Sequence, residues 1–180
     1  MVQLTTTHLT LREFEPADWQ AVYAYETDPR VAAYMAYSAS TPEECQSDLD
    51  FLADQQQDAH RLLFHLAVIL QSSQRLIGTC GLKITNRAVG EAELGYALHS
   101  DYWGHGYMTE AARAMVNYGF KTLQLRRIMG TCIPENTASI RVLQKIGMQQ
   151  EGHLRANKII KGTIYDSLIF SLLTNEWQIF

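Results

Sequence analysis

Two glycines flank His105 in the run Tyr102-Trp103-Gly104-His105-Gly106-Tyr107-Met108-Thr109, immediately ahead of a stretch with helical periodicity. Glycine leaves the backbone amides of residues 104–109 open to approach, and the helix that follows directs its positive end at the same place. The chemistry this favours is anion binding, and a pyrophosphate fits it well. An exposed helix-end charge interaction is worth only about 0.3 to 1 kcal/mol, so several amides must converge, which the glycines permit. Alone, a Gly-x-Gly pair is also an ordinary turn before a helix. The dinucleotide and P-loop signatures are absent: Thr109 occupies the last glycine position, and no Gly-Lys-Ser or Gly-Lys-Thr triplet follows. A neutral His105 imidazole would add little to anion binding, which leaves a plain surface role open. Arg141 and Lys145, four apart on one helical face, are spaced to reach phosphates or to form a solvated face. Glu93 is a carboxylate on the strand-like run just before this loop. Strand geometry puts it on one face with Glu91, Gly95 and Ala97, and the two small neighbours leave room beside the carboxylate. In isolation it reads as a solvated surface residue.

The elements that must position these groups follow from periodicity and punctuation. Leu9-Thr10-Leu11-Arg12-Glu13-Phe14 alternates as a half-buried strand, and Glu15-Pro16-Ala17-Asp18 ends it and opens a helix. Thr41-Pro42-Glu43-Glu44 is a capping box that starts a second helix running toward Gln57. Strand-like runs at Leu63–Leu70, Leu76–Ile84 and Glu91–Leu98, separated by turns at Ser72-Ser73-Gln74 and Asn86-Arg87-Ala88, predict an antiparallel meander. Ala111, Ala112, Met115, Val116 and Phe120 give a helix over Met108–Thr122. Arg127–Cys132 reads as a strand. Asn136 caps a helix running to Ile146, with Gly147 supplying a left-handed end. Closing strands are expected near Met148–Arg155 and Thr163–Leu172. The order is mixed, with no repeat, so the fold class is α+β.

A chain of 180 residues fits one domain, residues 1–180, with a core large enough to need no metal or disulfide. Cys45, Cys80 and Cys132 are widely spaced outside any Cys-x-x-Cys pair, which suggests reduced, buried thiols and no zinc site. There is no signal-like start and no apolar run of about 18 residues, so no membrane partner and a cytoplasmic location are expected. The net charge of -4, with no block of like charges, predicts no broad basic surface for nucleic acid.

Glu93-Leu94-Gly95-Tyr96-Ala97-Leu98 followed by Tyr102-Trp103-Gly104-His105-Gly106-Tyr107-Met108-Thr109-Glu110-Ala111 resembles the acetyl-CoA motif of the GNAT N-acetyltransferases. Asn136-Thr137-Ala138-Ser139-Ile140-Arg141-Val142-Leu143-Gln144-Lys145-Ile146-Gly147-Met148 is similar to a second motif of their RimJ/RimL-like branch, and Tyr165-Asp166-Ser167 adds to the likeness. Two long motifs about 30 residues apart are far more specific than either glycine pair. The resemblance covers nearly the whole chain. It implies a mostly antiparallel sheet flanked by helices, in which the strand holding Leu98 and the strand near Ile128 splay apart around the pantetheine arm of acetyl-CoA. By the same resemblance Leu98, Trp103, residues 104–109, Asn136, Ser139, Arg141 and Lys145 would contact that cosubstrate. Trp103 and Tyr102 would also anchor the loop by packing. Asn136 has the bland alternative of being only a helix cap. Two positions depart from the family: Asp101 stands where many members carry Arg or Gln, and Leu143 stands where many carry a tyrosine proposed to protonate the leaving thiolate.

Transfer of an acetyl group from a thioester to an amine needs a neutral amine, a polarised carbonyl and a proton for the departing sulfur. The resemblance implies that Glu93 acts as base through a water molecule. It also supports Ser139 as proton donor in place of the absent tyrosine, against the plainer reading of a helix serine bonded to backbone. An α-amine of pKa near 7.8 starts about 3.5 kcal/mol ahead of a lysine near 10.4 in the neutral form, which favours a protein or peptide N-terminus as acceptor. Trp19, Tyr34, Met35 and Tyr37 form an aromatic-rich region that in the family lines the acceptor pocket and otherwise packs in the core. Polyamines and aminoglycosides are the small-molecule alternatives. They would call for an acidic pocket, which Glu43, Glu44, Asp48 and Asp50 could supply. A noncatalytic acetyl-CoA sensor is the alternative outside the enzymes. Monomer and homodimer are both compatible with the chain.

Overall fold

The computed structural model describes residues 2–35, 41–58 and 60–178. Its elements in chain order are β1 (Gln3–Thr5), β2 (Leu9–Arg12), α1 (Trp19–Glu26), α2 (Pro29–Ala32), α3 (Pro42–Gln57), β3 (Leu63–Leu70), β4 (Arg75–Asn86), β5 (Glu91–Leu98), α4 (Tyr107–Lys121), β6 (Arg127–Cys132), α5 (Thr137–Lys145), β7 (Gln149–Ile160) and β8 (Thr163–Leu173). Among the described residues the strands form one eight-stranded sheet in the order β1-β2-β3-β4-β5-β6-β8-β7. Neighbours are antiparallel except β5 and β6, which run parallel. This is the α+β architecture read from the sequence.

Local chemistry accounts for the boundaries. Thr41 Oγ1 accepts from the Glu44 amide at 3.2 Å while Glu44 Oε2 accepts from the Thr41 amide at 3.2 Å, so the capping box opens α3 as expected. Asn136 Oδ1 accepts from the Ser139 amide at 3.0 Å at the start of α5, and Gly147 sits at φ +88° after its end. Two short elements escaped periodicity: β1, and the single turn α2, where Asp28 Oδ1 accepts from the Arg30 amide at 2.9 Å. Strand β7 runs beyond Arg155 to Ile160 across an irregularity between Leu154 and Lys158. There Asp166 accepts from the Ala156 amide at 2.8 Å and lies 2.7 Å from His153 Nε2, which fixes the bend.

Helices cover both faces of the sheet, so β3 is buried on both sides. Leu66, Val68 and Leu70 join the cluster under α4 and α5, while Ala67 and Ile69 join the cluster under α1, α2 and α3. The stripe Met108, Ala111, Ala112, Met115, Val116 and Phe120 packs α4 onto the sheet. Gly119 lets the helix come close: an added Cβ would stand 2.8 Å from Ile128 Cδ1 and 2.8 Å from Leu82 Cδ1. At the edge of this core Arg61 Nη1 donates to Glu13 Oε1 at 2.7 Å, with both side chains less than a tenth exposed. The Arg61 guanidinium also lies 4.4 Å from the Phe64 ring centre.

His65 on β3 packs edge-on to Phe14 at 6.4 Å, and burial pushes its imidazole pKa down to about 4. The unfolded chain binds this proton near pH 6.5 and the native chain only near 4, so His65 stabilises the fold fully above 6.5 and loses that contribution as pH falls toward 4. Denaturant titrations from pH 7 to 4 are expected to show a loss of at most about 3 kcal/mol from this residue, flattened in His65→Leu. An equally steep loss in that variant would contradict the assignment.

Candidate active site

Strands β5 and β6 pair only at Glu91 with Arg127, Ala92 with Ile128 and Glu93 with Met129. Beyond Glu93 they separate, as the sequence reading expects. The gap widens into a cleft of about 760 Å³ bounded by β5, the start of α4, the end of β6 and α5. Glu93 lies where the strands part. Thr131 Oγ1 donates to Glu93 Oε1 at 3.1 Å and holds the half-buried carboxylate across the opening.

At the other side of the cleft, Gly104 and Gly106 adopt φ +79° and +83°, conformations open to glycine, and a Cβ on either would meet nothing within 4 Å. The inner face of the loop is therefore open space. Gly106 caps α4 with no side-chain hydrogen bond, so the first-turn amides at Tyr107, Met108 and Thr109 are not covered by a protein cap. Arg141, Lys145 and Lys158 line the same cleft. Glycines, uncapped helix amides and cations together fit a pyrophosphate. The loop is held firmly: Trp103 Nε1 donates to the Leu98 carbonyl at 2.8 Å, and Tyr102 packs on the core with its ring 5.7 Å from His99. Glu110, in the first turn of α4, accepts from Thr6 Oγ1 at 2.6 Å and from the His8 amide at 2.7 Å, with His8 Nδ1 at 2.9 Å. Burial alone would raise the Glu110 carboxyl, but these hydrogen bonds outweigh it and hold the group below the usual range.

The structure brings Glu93, Leu98, Trp103, Gly104, Gly106, Tyr107, Met108, Thr109, Asn136, Ser139, Arg141 and Lys145 to one cleft. His105 is not among its walls: the ring is exposed and stacks on Tyr107 at 5.6 Å. Asp101 turns away to Arg30 of α2 at 3.2 Å, and Leu143 is buried against Gly130. Of the aromatic-rich region, Tyr34 and Met35 line the cleft, Trp19 packs with the α1–α3 cluster, and Tyr37 lies outside the described residues. Glu43, Glu44, Asp48 and Asp50 of α3 do not line it; among the described residues Glu93 is the one carboxylate in its wall.

Sequence reasoning passed over Tyr96, Thr131, Cys132 and Lys158, which also line the cleft. Tyr96 alternates with Ala92, Leu94 and Leu98 and so reads as a core residue; the separation of β6 turns that face toward the opening. Its hydroxyl lies 2.8 Å from Ser139 Oγ and donates to the Ser139 carbonyl at 3.3 Å. Burial pushes the Tyr96 phenol well above its usual range, with the Ser139 hydrogen bond opposing. Burial likewise raises the Cys132 thiol, opposed by its own hydrogen bond with Ser139. Cys45, Cys80 and Cys132 are free and buried, and among the described residues no cluster of His, Cys, Asp and Glu is placed to hold a metal ion. No helix among them is long and apolar enough to cross a membrane.

A family model described as an acetyltransferase (GNAT) domain matches residues 8–149. The chain is 35% identical over 178 residues to the uncharacterized N-acetyltransferase p20 of Bacillus licheniformis, covering 98% of this chain and 99% of that protein. It superposes on a GNAT-family acetyltransferase from Bacillus anthracis with a TM-score of 0.85 and 30% identity, over 97% of this chain and 100% of the other. With a ribosomal-protein-S5-alanine acetyltransferase from Vibrio fischeri the TM-score is 0.86 at 27% identity, over 99% of this chain and 100% of that one.

Proposed function

Because the chain belongs to the GNAT acetyltransferase family, whose members use acetyl-CoA, we propose that it transfers the acetyl group of acetyl-CoA to the α-amine of a protein or peptide N-terminus. The observation that carries the acceptor is the charge of the cleft wall. Among the described residues Glu93 is the one carboxylate that lines it, and Glu43, Glu44, Asp48 and Asp50 stand elsewhere. A polyamine or aminoglycoside calls for several carboxylates, whereas a single amine needs only one. The advantage of an α-amine over lysine, about 3.5 kcal/mol in the neutral form, adds to this. So does the likeness to the Vibrio fischeri enzyme, which is named for the ribosomal protein S5.

In this reading the amides of residues 104–109 take the pyrophosphate, with Arg141 and Lys145 at its rim. The β5 edge beyond Glu93, which has no strand partner, offers backbone groups to the pantetheine arm and the thioester oxygen. Glu93, fixed by Thr131, removes the amine's proton through a water molecule. Ser139 turns its hydroxyl to the departing sulfur. Asn136 holds the start of α5 so that this hydroxyl faces the cleft. Residues 1–180 work as a single domain. Three buried free thiols suit the reducing cytoplasm.

Thiol release from acetyl-CoA, screened across N-terminal peptides, polyamines and aminoglycosides, is the test. Peptides with a free α-amine are expected to be turned over at least tenfold more efficiently in kcat/KM than N-blocked peptides carrying lysine. Preference for a polyamine or aminoglycoside would reject the acceptor assignment. Tight acetyl-CoA binding with no turnover on any acceptor would favour a sensor.

A further inference from the structure

We infer that Tyr96 is a positioning residue for the transfer, whose phenol hydrogen-bonds to Ser139 and commits the serine's own proton to the departing sulfur. The inference rests on the acetyl-transfer reading above. Tyr96 stands three residues past the last β5–β6 pair at Glu93 and reaches across the widened gap to α5. Its hydroxyl, 2.8 Å from Ser139 Oγ and 3.3 Å from the Ser139 carbonyl, is placed between two acceptors on one residue. A phenol is the more acidic partner of a phenol–alcohol pair and hence the better donor, so the proton of this contact belongs to Tyr96. The Ser139 amide is already given to Asn136 Oδ1 at 3.0 Å.

The amide and one Oγ lone pair are thus engaged, and what remains of the Ser139 side chain for the cleft is its O–H. The position where a helix tyrosine would act is filled by Leu143, buried against Gly130, so α5 supplies no second phenol there. The hydroxyl that organises sulfur departure comes from the strand.

Tyr96 orients and does not give up its proton. A thiol near 8.5 is a stronger acid than a phenol near 10, so transfer from phenol to thiolate runs uphill even before burial raises the phenol further. The step balances without it: the amine nitrogen bonds to the thioester carbon, the C–S bond breaks with its electron pair on sulfur, and the Ser139 hydrogen bond stabilises the thiolate. The thiolate takes a proton from water, and the amine's proton leaves through Glu93.

Steady-state kinetics of wild type, Tyr96→Phe, Ser139→Ala and the double variant test this. Phenylalanine keeps the buried ring and removes only the hydroxyl. Tyr96→Phe is expected to lower kcat about tenfold, as for one lost hydrogen bond, with KM for acetyl-CoA within about twofold. The double variant is expected to be no slower than Ser139→Ala, because without the serine hydroxyl nothing is left to orient. Wild-type kcat in Tyr96→Phe, or a double variant slowed by the product of the single effects, would overturn the inference. So would an unaffected Ser139→Ala beside a slow Tyr96→Phe. These outcomes leave acetyl transfer standing, whereas absence of turnover in the wild type removes that reading and the inference with it.

Discussion

Glu93→Gln is expected to lower kcat for acetyl transfer about 100-fold while KM for acetyl-CoA stays within about twofold. Glutamine has the shape of glutamate, and its amide oxygen still accepts from Thr131 Oγ1, which now lies 3.1 Å from Glu93 Oε1. The strand junction is therefore preserved and the change is confined to the carboxylate. A positioned base contributes 10²- to 10⁴-fold; the lower end applies because in the proposed reaction the proton moves through a water molecule. Intact acetyl-CoA binding by calorimetry, beside the lost turnover, separates this effect from unfolding. A kcat within threefold of wild type would remove Glu93 from the reaction.

The largest effect on stability is expected at Arg61. Alanine there leaves Glu13 charged, less than a tenth exposed, and without its guanidinium partner, a defect that costs about 3 to 5 kcal/mol. It also strips the cation from the Phe64 ring. Against a domain stability of about 5 to 15 kcal/mol, this brings the native state close to its limit. Urea unfolding should show the midpoint falling at unchanged slope. Replacing both partners, as in Glu13→Leu with Arg61→Met, is expected to recover most of the loss, because no charge is then buried alone. A loss below 1 kcal/mol in Arg61→Ala would show that water reaches Glu13.

What the sequence discloses and what it withholds separate along the line between local and long-range information. Thr41 with Glu44, Asn136 and Gly147 announce helix ends because caps are local chemistry, and the structure uses each as read. The stripe from Met108 to Phe120 and the alternation around Glu93 are equally local. The helical turn α2 is only four residues long, too short to show a period, and β7 continues past Arg155 because Asp166, ten residues on from Ala156, holds the bend there. Tyr96 was hidden for a different reason. Its period places it on the core face, and only the departure of β6 after Met129, a property of the sheet, turns it toward the cleft. His105 shows the converse error. Its two glycines shape the loop, while the side chain between them points to solvent and Tyr107.

Glu110 has one further consequence. It anchors the first turn of α4 to Thr6 and His8, more than a hundred positions upstream, through contacts of 2.6 and 2.7 Å. The hairpin of β1 and β2 is thus a foundation for the loop and helix end offered to the pyrophosphate. In a scan of random substitutions scored by catalytic output, Thr6 and His8 would register alongside the residues of the cleft although neither lines it. Such a map would draw the functional region larger than the cleft, and its extra territory would trace the brace that keeps the cleft in shape.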